Sequence, residues 1–486
     1  MLKSAGSDLS LRWLGPALGL VLAITALRVV ALAFDRTDLF VDEAQYWLWG
    51  QVPALGYYSK PPMIGWVIGA VTALAGSDAP FWVRLPAPLF HGATALLLAA
   101  TAALLYGGRA AVWVAAGYVT LPMVAVGSLL ISTDTIMFPF LALALWAWVR
   151  AGDEPSWPLA VLCGVALGLA ALSKYAALYY LPCAVLAAML LPGARRPWGF
   201  ALVALAAALA TLSPNLVWNA LNGFATLNHT IDNADWMRDP ATRAGLRFGE
   251  LGSFAASQFA VFGPVPFALL LWLALRRGQS PATRMLLWFS LPILLLVCGQ
   301  ALLSRAYANW AAAAYLAGAV AVFAAMARGP GWLRAASFVL NGAVCVALPL
   351  ATTQADRLRW DGRLVLARYT GQAEMSGRII AAAQAAGTNR VVSDNRDILA
   401  DLFYTGRDAG LDIYAVPAPG RALNHYALRY PLPAGLDGAV LYAGPGPLPE
   451  GCALGPAVAL EAAQGRWAGK GLFAQPLRAH CWGGAE

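Results

Sequence analysis

Long apolar stretches separated by short polar connections fill the first three quarters of the chain. A helix needs about 17 to 25 apolar residues to cross a bilayer, and eleven runs of that kind are read at roughly 11–34, 82–106, 109–131, 134–151, 157–174, 175–192, 198–218, 251–275, 285–304, 306–327 and 335–353. The stretch Met63–Gly76 is apolar but only about fourteen residues long and follows Pro61-Pro62, so it predicts an interfacial or re-entrant helix. After residue 353 the pattern changes. Ile379–Ala386 and Asp397–Tyr404 read as short helices, and Arg390–Ser393 and Leu436–Tyr442 as strands before a Gly/Pro-rich stretch. The expectation is a mainly α, polytopic membrane domain over residues 1–353 and a small soluble α/β domain over 354–486.

Whether residues 63–76 cross the membrane decides the side of every later loop, and the distribution of cations tests it. Without a crossing, and with the N-terminus inside, one face holds Lys3, Arg12, Arg109, Arg150, Arg195, Arg196, Arg276, Arg277, Arg284, Arg328 and Arg334, mostly in short turns. The other face holds Arg36, Lys60, Arg84, Lys174, Arg238, Arg243, Arg247 and Arg305, spread over longer loops. The excess in short connections assigns the first face to the cytoplasm. The first loop, the Ser132–Asp134 turn, Lys174, Arg305 and the tail then lie outside, which for a bacterial chain is the periplasmic side of the inner membrane. The first run, Trp13–Phe34, is too long for a cleavable signal and lacks a small-residue cleavage site, so it predicts a retained anchor.

Composition agrees. Of 486 residues, 60% are hydrophobic and 12% charged, with 19 Trp, which excludes a soluble fold of this size. The net charge of +8 sits mainly in the connections of the membrane part, where it reports orientation and not nucleic-acid binding. Cys163, Cys183, Cys298 and Cys345 fall in apolar runs and read as packing residues. Cys452 and Cys481 lie in the tail, where an oxidising compartment would permit a disulfide between them. The tail shows no phosphate-binding glycine loop, metal-spaced Cys/His set or nucleophile elbow, so chemistry is expected elsewhere.

The few remaining charges are where chemistry is sought. Asp42 and Glu43 open a short amphipathic helix, Asp42–Trp49, whose aromatic residues suit a membrane interface; at a helix start the carboxylates also serve as caps. Tyr57-Tyr58-Ser59-Lys60-Pro61-Pro62 sets one lysine between aromatics and a rigid Pro-Pro, at the depth of a lipid phosphate; snorkelling is the alternative. Asp134 stands at the mouth of a spanning helix, as an acid or as an N-cap. Lys174 ends a helix, where a cation also relieves exposed carbonyls. Arg28 lies inside an apolar run, and such residues face polar interiors. Acids beside cations at one interface suit a reaction in which an anionic lipid phosphate leaves while a hydroxyl loses its proton.

These segments resemble the C-type glycosyltransferases, in the bacterial branch of protein O-mannosyltransferase-like enzymes and lipid A aminoarabinose transferases. The residues that carry the resemblance are Asp42-Glu43-Ala44-Gln45-Tyr46-Trp47, Lys60-Pro61-Pro62-Met63, Arg84-Leu85-Pro86, Thr133-Asp134-Thr135, Leu172-Ser173-Lys174-Tyr175, Trp218-Asn219 with Gly223-Phe224, and Asn309-Trp310, over roughly residues 20 to 320. The resemblance implies a C-type fold, a polyprenyl-phosphate sugar donor, a lipid A, glycan or protein acceptor, and inversion at the anomeric carbon on the outer face. It implies Asp42 as the catalytic acid residue, either base or ligand to a divalent ion, with Glu43 and Asp134 completing the acidic side. Lys60, Arg84, Lys174, Arg305 and Arg28 would hold the donor phosphate. Tyr46, Tyr57, Tyr58, Asn309 and Trp310 would line the substrate cavity.

One position departs from the pattern. Aminoarabinose transferases carry Glu before Lys-Pro-Pro, where this chain has Ser59; a metal ligand is lost there, and a different donor sugar is implied. Any metal would fall to Asp42 and Glu43. The loop 219–250, with Trp236, Arg238, Arg243 and Arg247, reads equally as an acceptor flap and as a solvated connection. A transporter or flippase of lipid-linked sugar is the rival function, and the polar residues crowding one face, with no internal repeat, argue against it.

Overall fold

A computed structural model of the chain describes residues 11–234, 245–417, 420–445 and 451–482. Lys3, Trp236, Arg238 and Arg243, singled out from the sequence, lie outside these residues. The chain divides into two compact units. One comprises Met1–Leu32, Lys60–Ile64 and Arg84–Pro349, and the other Ala33–Ser59, Gly65–Val83 and Leu350–Glu486. The polar first loop therefore packs in the same unit as the tail, although the chain joins it to spanning helices at both ends.

Each of the eleven apolar runs holds helix, and among the described residues five stretches are long and apolar enough to cross a membrane in one piece: Leu11–Ala33, Pro80–Tyr106, Trp198–Leu221, Pro281–Leu303 and Gly331–Thr352. Others that read as single spans are shorter or broken. The run 109–131 becomes Gly108–Thr120 and Pro122–Gly127, because Pro122 cannot donate a backbone hydrogen bond. The run 251–275 becomes Phe248–Val261 and Pro264–Leu275, bent by 114°. There Gly263, at φ 90°, makes the turn and Pro264 begins the next helix. Met63–Ala75, expected to be too short to cross, is a helix of 13 residues.

Small residues set the helix spacing. A Cβ on Gly164 would lie 2.1 Å from the Ala204 carbonyl oxygen, and one on Gly168 would lie 2.5 Å from Thr211 Cβ. This Gly-x-x-x-Gly stripe lets Trp157–Ser173 touch Trp198–Leu221 along the backbone. Ala144, Ala147, Ala151, Ala160, Cys163, Ala166 and Phe200 extend the same close packing towards Thr133–Arg150.

The second unit contains the tail sheet. A two-residue hairpin, β1 (Arg359–Trp360) and β2 (Arg363–Leu364), precedes β3 (Arg390–Ser393), β4 (Asp412–Ala415), β5 (Ala439–Gly444), β6 (Val458–Leu460) and β7 (Leu472–Arg478). The five-stranded sheet has the order β4-β3-β5-β7-β6, parallel among β4, β3 and β5 and antiparallel at β7. Helix Gln372–Ala385 covers the expected Ile379–Ala386 to within one residue and Arg396–Thr405 contains Asp397–Tyr404, while β3 is one predicted strand and β5 overlaps the other, Leu436–Tyr442, from Ala439 on. Cys452 and Cys481 form a disulfide closing 29 residues, beside a core of Val392, Leu432, Val440, Tyr442 and Leu477. Loop closure of that length contributes about 3 to 4 kcal/mol. The double variant Cys452→Ser/Cys481→Ser is expected to lower the unfolding midpoint of the full-length protein by several degrees, and dithiothreitol should reproduce the loss in the wild type alone. An unchanged midpoint in both arms would count against the contribution.

Candidate functional site

The helix Val41–Gln51 carries the first acidic pair, and it splits them. Adjacent residues on a helix point about 100° apart. Glu43, with no exposed surface, turns back and accepts the Phe40 backbone N–H at 2.9 Å, so it caps its own helix. Asp42 points the other way, with its side chain 46% exposed. Its Oδ1 accepts a hydrogen bond from Nη2 of Arg396, and the pair is also an ion pair. Three residues on, and so on the same helix face, Gln45 Oε1 accepts from Arg396 Nε at 3.2 Å.

Arg396 is the residue the sequence reading missed. It is the first residue of Arg396–Thr405, whose N-cap Asn395 accepts from the backbone of Asp397 at 2.9 Å. A cation at that end opposes the helix dipole by about 0.3 to 1 kcal/mol, which is the signal the sequence offered. Burial works to lower the Arg396 guanidinium pKa, and the Asp42 carboxylate overrides it, so the proton is held more tightly than usual.

The aromatic residues of this loop are packing residues. Trp49 stacks on Tyr57 at 4.5 Å, Tyr57 Oη donates to the Trp49 carbonyl at 2.7 Å, and burial pushes the Tyr57 pKa up to about 12. Tyr58 Oη donates to the Ala422 carbonyl at 3.0 Å, and Trp47 meets the Tyr404 ring edge-on at 5.0 Å. Tyr46 is buried beside Trp49. The expected cavity lining of Tyr46, Tyr57 and Tyr58 is therefore a core, and the helix is buried nearly all round where an interfacial, amphipathic one was expected.

The first unit holds the second acid. Ser132, not Asp134, is the N-cap of Thr133–Arg150, accepting from the Thr135 N–H at 3.3 Å. That leaves the Asp134 carboxylate to Lys174, whose Nζ donates to both oxygens at 2.8 Å, and to Asn309 Nδ2, which donates to Oδ2 at 3.0 Å. Three motifs 40 and 175 residues apart in sequence thus meet at one carboxylate. Lys174 is the C-cap of Trp157–Ser173, the helix-end place the sequence suggested, and its ammonium is engaged by an acid, which takes up the charge expected to meet the donor phosphate. Nearby in the same unit, Tyr175 Oη donates to Asn215 Oδ1 at 2.6 Å and accepts from Asn219 Nδ2 at 3.1 Å.

Arg28 is also accounted for. Its Nη2 donates to the Val119 carbonyl at 2.5 Å and to Cys345 Sγ at 3.3 Å. Val119 lies in the last turn before the Pro122 break, where carbonyls lack helical partners. The intramembrane arginine caps a broken helix, which corrects its assignment to the donor phosphate. Lys60 is half-buried before Pro61-Pro62, and Arg84 is buried at the end of Pro80–Arg84. Arg305 is exposed over the Tyr307 ring at 5.2 Å, and Trp310 meets the same ring at 5.6 Å.

The donor set does not suit a metal at Asp42 and Glu43. The two carboxylates diverge, one taken by a guanidinium and the other by a backbone N–H. Among the described residues no group of three or more His, Cys, Asp or Glu converges on a common point.

Comparison with known proteins follows the same lines. The family model described as dolichyl-phosphate-mannose-protein mannosyltransferase matches residues 59–218. The lipid A galacturonosyltransferase RgtD of Rhizobium johnstonii is 44% identical over 428 residues, 87% of this chain and 89% of that protein. The lipopolysaccharide core galacturonosyltransferase RgtB of the same organism is 30% identical over 294 residues, 57% of this chain and 58% of that protein. Among solved structures, ArnT from Cupriavidus metallidurans bound to undecaprenyl phosphate shares the fold, with a TM-score of 0.62 at 14% identity over 96% of this chain and 98% of that one. Its apo form gives 0.61, over 96% of this chain and 99% of that one.

Proposed function

Because the chain belongs to the C-type glycosyltransferases, we propose that it moves a galacturonosyl residue from a polyprenyl-phosphate donor to a hydroxyl of lipid A on the periplasmic face of the inner membrane. The observation that carries the proposal is the 44% identity, over nearly the whole of both chains, with a lipid A galacturonosyltransferase. Ser59 in place of the glutamate of aminoarabinose transferases supports a donor other than aminoarabinose.

The reaction is a single displacement. The acceptor hydroxyl oxygen forms a bond to the anomeric carbon as the bond from that carbon to the phosphate oxygen breaks, which inverts the anomeric centre. Asp42 takes the hydroxyl proton. Polyprenyl phosphate leaves with the bonding electrons, and its growing negative charge is met by Lys60, a point charge on a backbone fixed by two prolines, and by Arg84. Asp134 takes no part in proton transfer, since Lys174 and Asn309 already occupy its carboxylate; it braces the helices that carry it.

The test is transfer by the purified full-length protein from polyprenyl-phosphate galacturonate to lipid A, read by mass spectrometry as the gain of one hexuronosyl residue. Transfer of aminoarabinose or of a neutral hexose instead would overturn the donor assignment. In the same assay Lys60→Ala is expected to raise the donor KM by about 10- to 100-fold, the worth of one charged hydrogen bond, with the acceptor KM unchanged. An unchanged donor KM removes Lys60 from phosphate binding.

A further inference from the structure

We propose that Arg396, in the C-terminal segment, is a positioning residue for sugar transfer: it grips Asp42 by Oδ1, fixes its rotamer, and leaves Oδ2 to meet the acceptor hydroxyl. This rests on the reading of Asp42 as the base.

The grip has two points. Nη2 donates to Asp42 and Nε donates to Gln45 at 3.2 Å, and the two acceptors lie three residues apart on one face of Val41–Gln51. A planar guanidinium held through two different nitrogens cannot rotate, so the Asp42 rotamer is fixed with it. The base of the grip is equally fixed, because Asn395 caps the helix that Arg396 begins. Oδ2 of Asp42 accepts no hydrogen bond from any described residue, and the side chain is 46% exposed.

The charge is directed as well as the geometry. The second acceptor, Gln45, is a neutral amide, so Asp42 receives the full cationic field of Arg396. His425 beside it is held neutral, its pKa pushed down to about 3 by burial and by Arg429 and Arg396. A surface ion pair between helices would need none of these features: the open oxygen, the neutral second acceptor, or a cation at the positive end of a helix.

The experiment compares Arg396→Gln and Arg396→Lys in the full-length protein, with turnover and the donor KM measured side by side. Arg396→Gln is expected to lower kcat by about 10- to 100-fold, the range for a misplaced catalytic group, with the donor KM within about twofold. Arg396→Lys should recover most of the turnover.

Wild-type kcat in Arg396→Gln overturns the inference. So do equal losses of turnover and thermal stability in Arg396→Gln and Arg396→Lys, the pattern of a purely structural contact. In an Asp42→Asn background, adding Arg396→Gln should cost nothing further, and an additional loss also counts against it. Full turnover in Asp42→Asn alone would instead bring down the assignment of the base, so the two failures are told apart.

Discussion

Asp42→Asn is expected to reduce sugar transfer by about 100- to 10,000-fold, the range that general-base catalysis supplies, with the protein expressed and folded as the wild type. The substitution is nearly isosteric; it gives up the ion pair to Arg396, but Glu43 still caps the helix, Gln45 still accepts from Arg396, and Trp49 and Tyr57 still stack beneath. What changes is that an amide cannot accept the proton of the acceptor hydroxyl. Turnover per folded protein, together with a thermal midpoint in detergent, separates the two effects. Donor binding, measured by protection against thermal unfolding, should survive. Transfer at more than about a tenth of the wild-type rate would take Asp42 out of the proton pathway, because a base contributing less than that is below the range such catalysis spans.

Lys174→Met is expected to destabilise the protein by about 3 to 5 kcal/mol, the usual consequence of stranding one member of a buried ion pair. The pair qualifies, with Asp134 and Lys174 side chains 10% and 18% exposed and both carboxylate oxygens within 2.8 Å of the ammonium. Without the lysine, Asp134 keeps Asn309 as a donor but has no counter-charge. The double variant Asp134→Asn/Lys174→Met should regain a large part of the loss, since no unpaired charge remains. Unfolding midpoints of the two single variants and the double variant in one detergent form the cycle that tests this. Additive losses would mean that the two residues act separately, and would return Lys174 to the list of donor ligands.

The two substitutions probe different kinds of legibility. Asp42 stands out as a candidate because the signal is local: a polar, acidic segment between apolar runs, followed by aromatic residues. The acid at Asp134 was readable for the same reason, but its use was not, because a carboxylate in the first turn of a helix reads as a cap until Ser132 is seen to fill that place. Arg28 misled in the opposite direction. An arginine in an apolar run does need a polar partner, and the sequence could not show that the partner is a carbonyl left open at Pro122.

The aromatic cluster was misread because periodicity reports how apolar a face is and not what covers it. Tyr46, Trp47 and Trp49 suit a membrane interface and a protein core equally well. Burial against the tail, in the same compact unit, decided the matter.

By itself, then, the sequence determined that this is a polytopic membrane protein with an α/β tail, and where its apolar runs and its few charged positions lie. Those follow from properties a residue carries alone or shares with near neighbours, such as hydropathy over some twenty residues, a proline, or a cap. The tertiary structure decided which charges meet: Asp134 with Lys174 and Asn309, Arg28 with Val119, and Asp42 with an arginine 354 residues away. An ionised side chain removed from water requires a partner, but that requirement fixes only the partner's chemistry. Its position in the chain is set by the packing of the apolar surfaces around it, and those are formed by the whole fold at once.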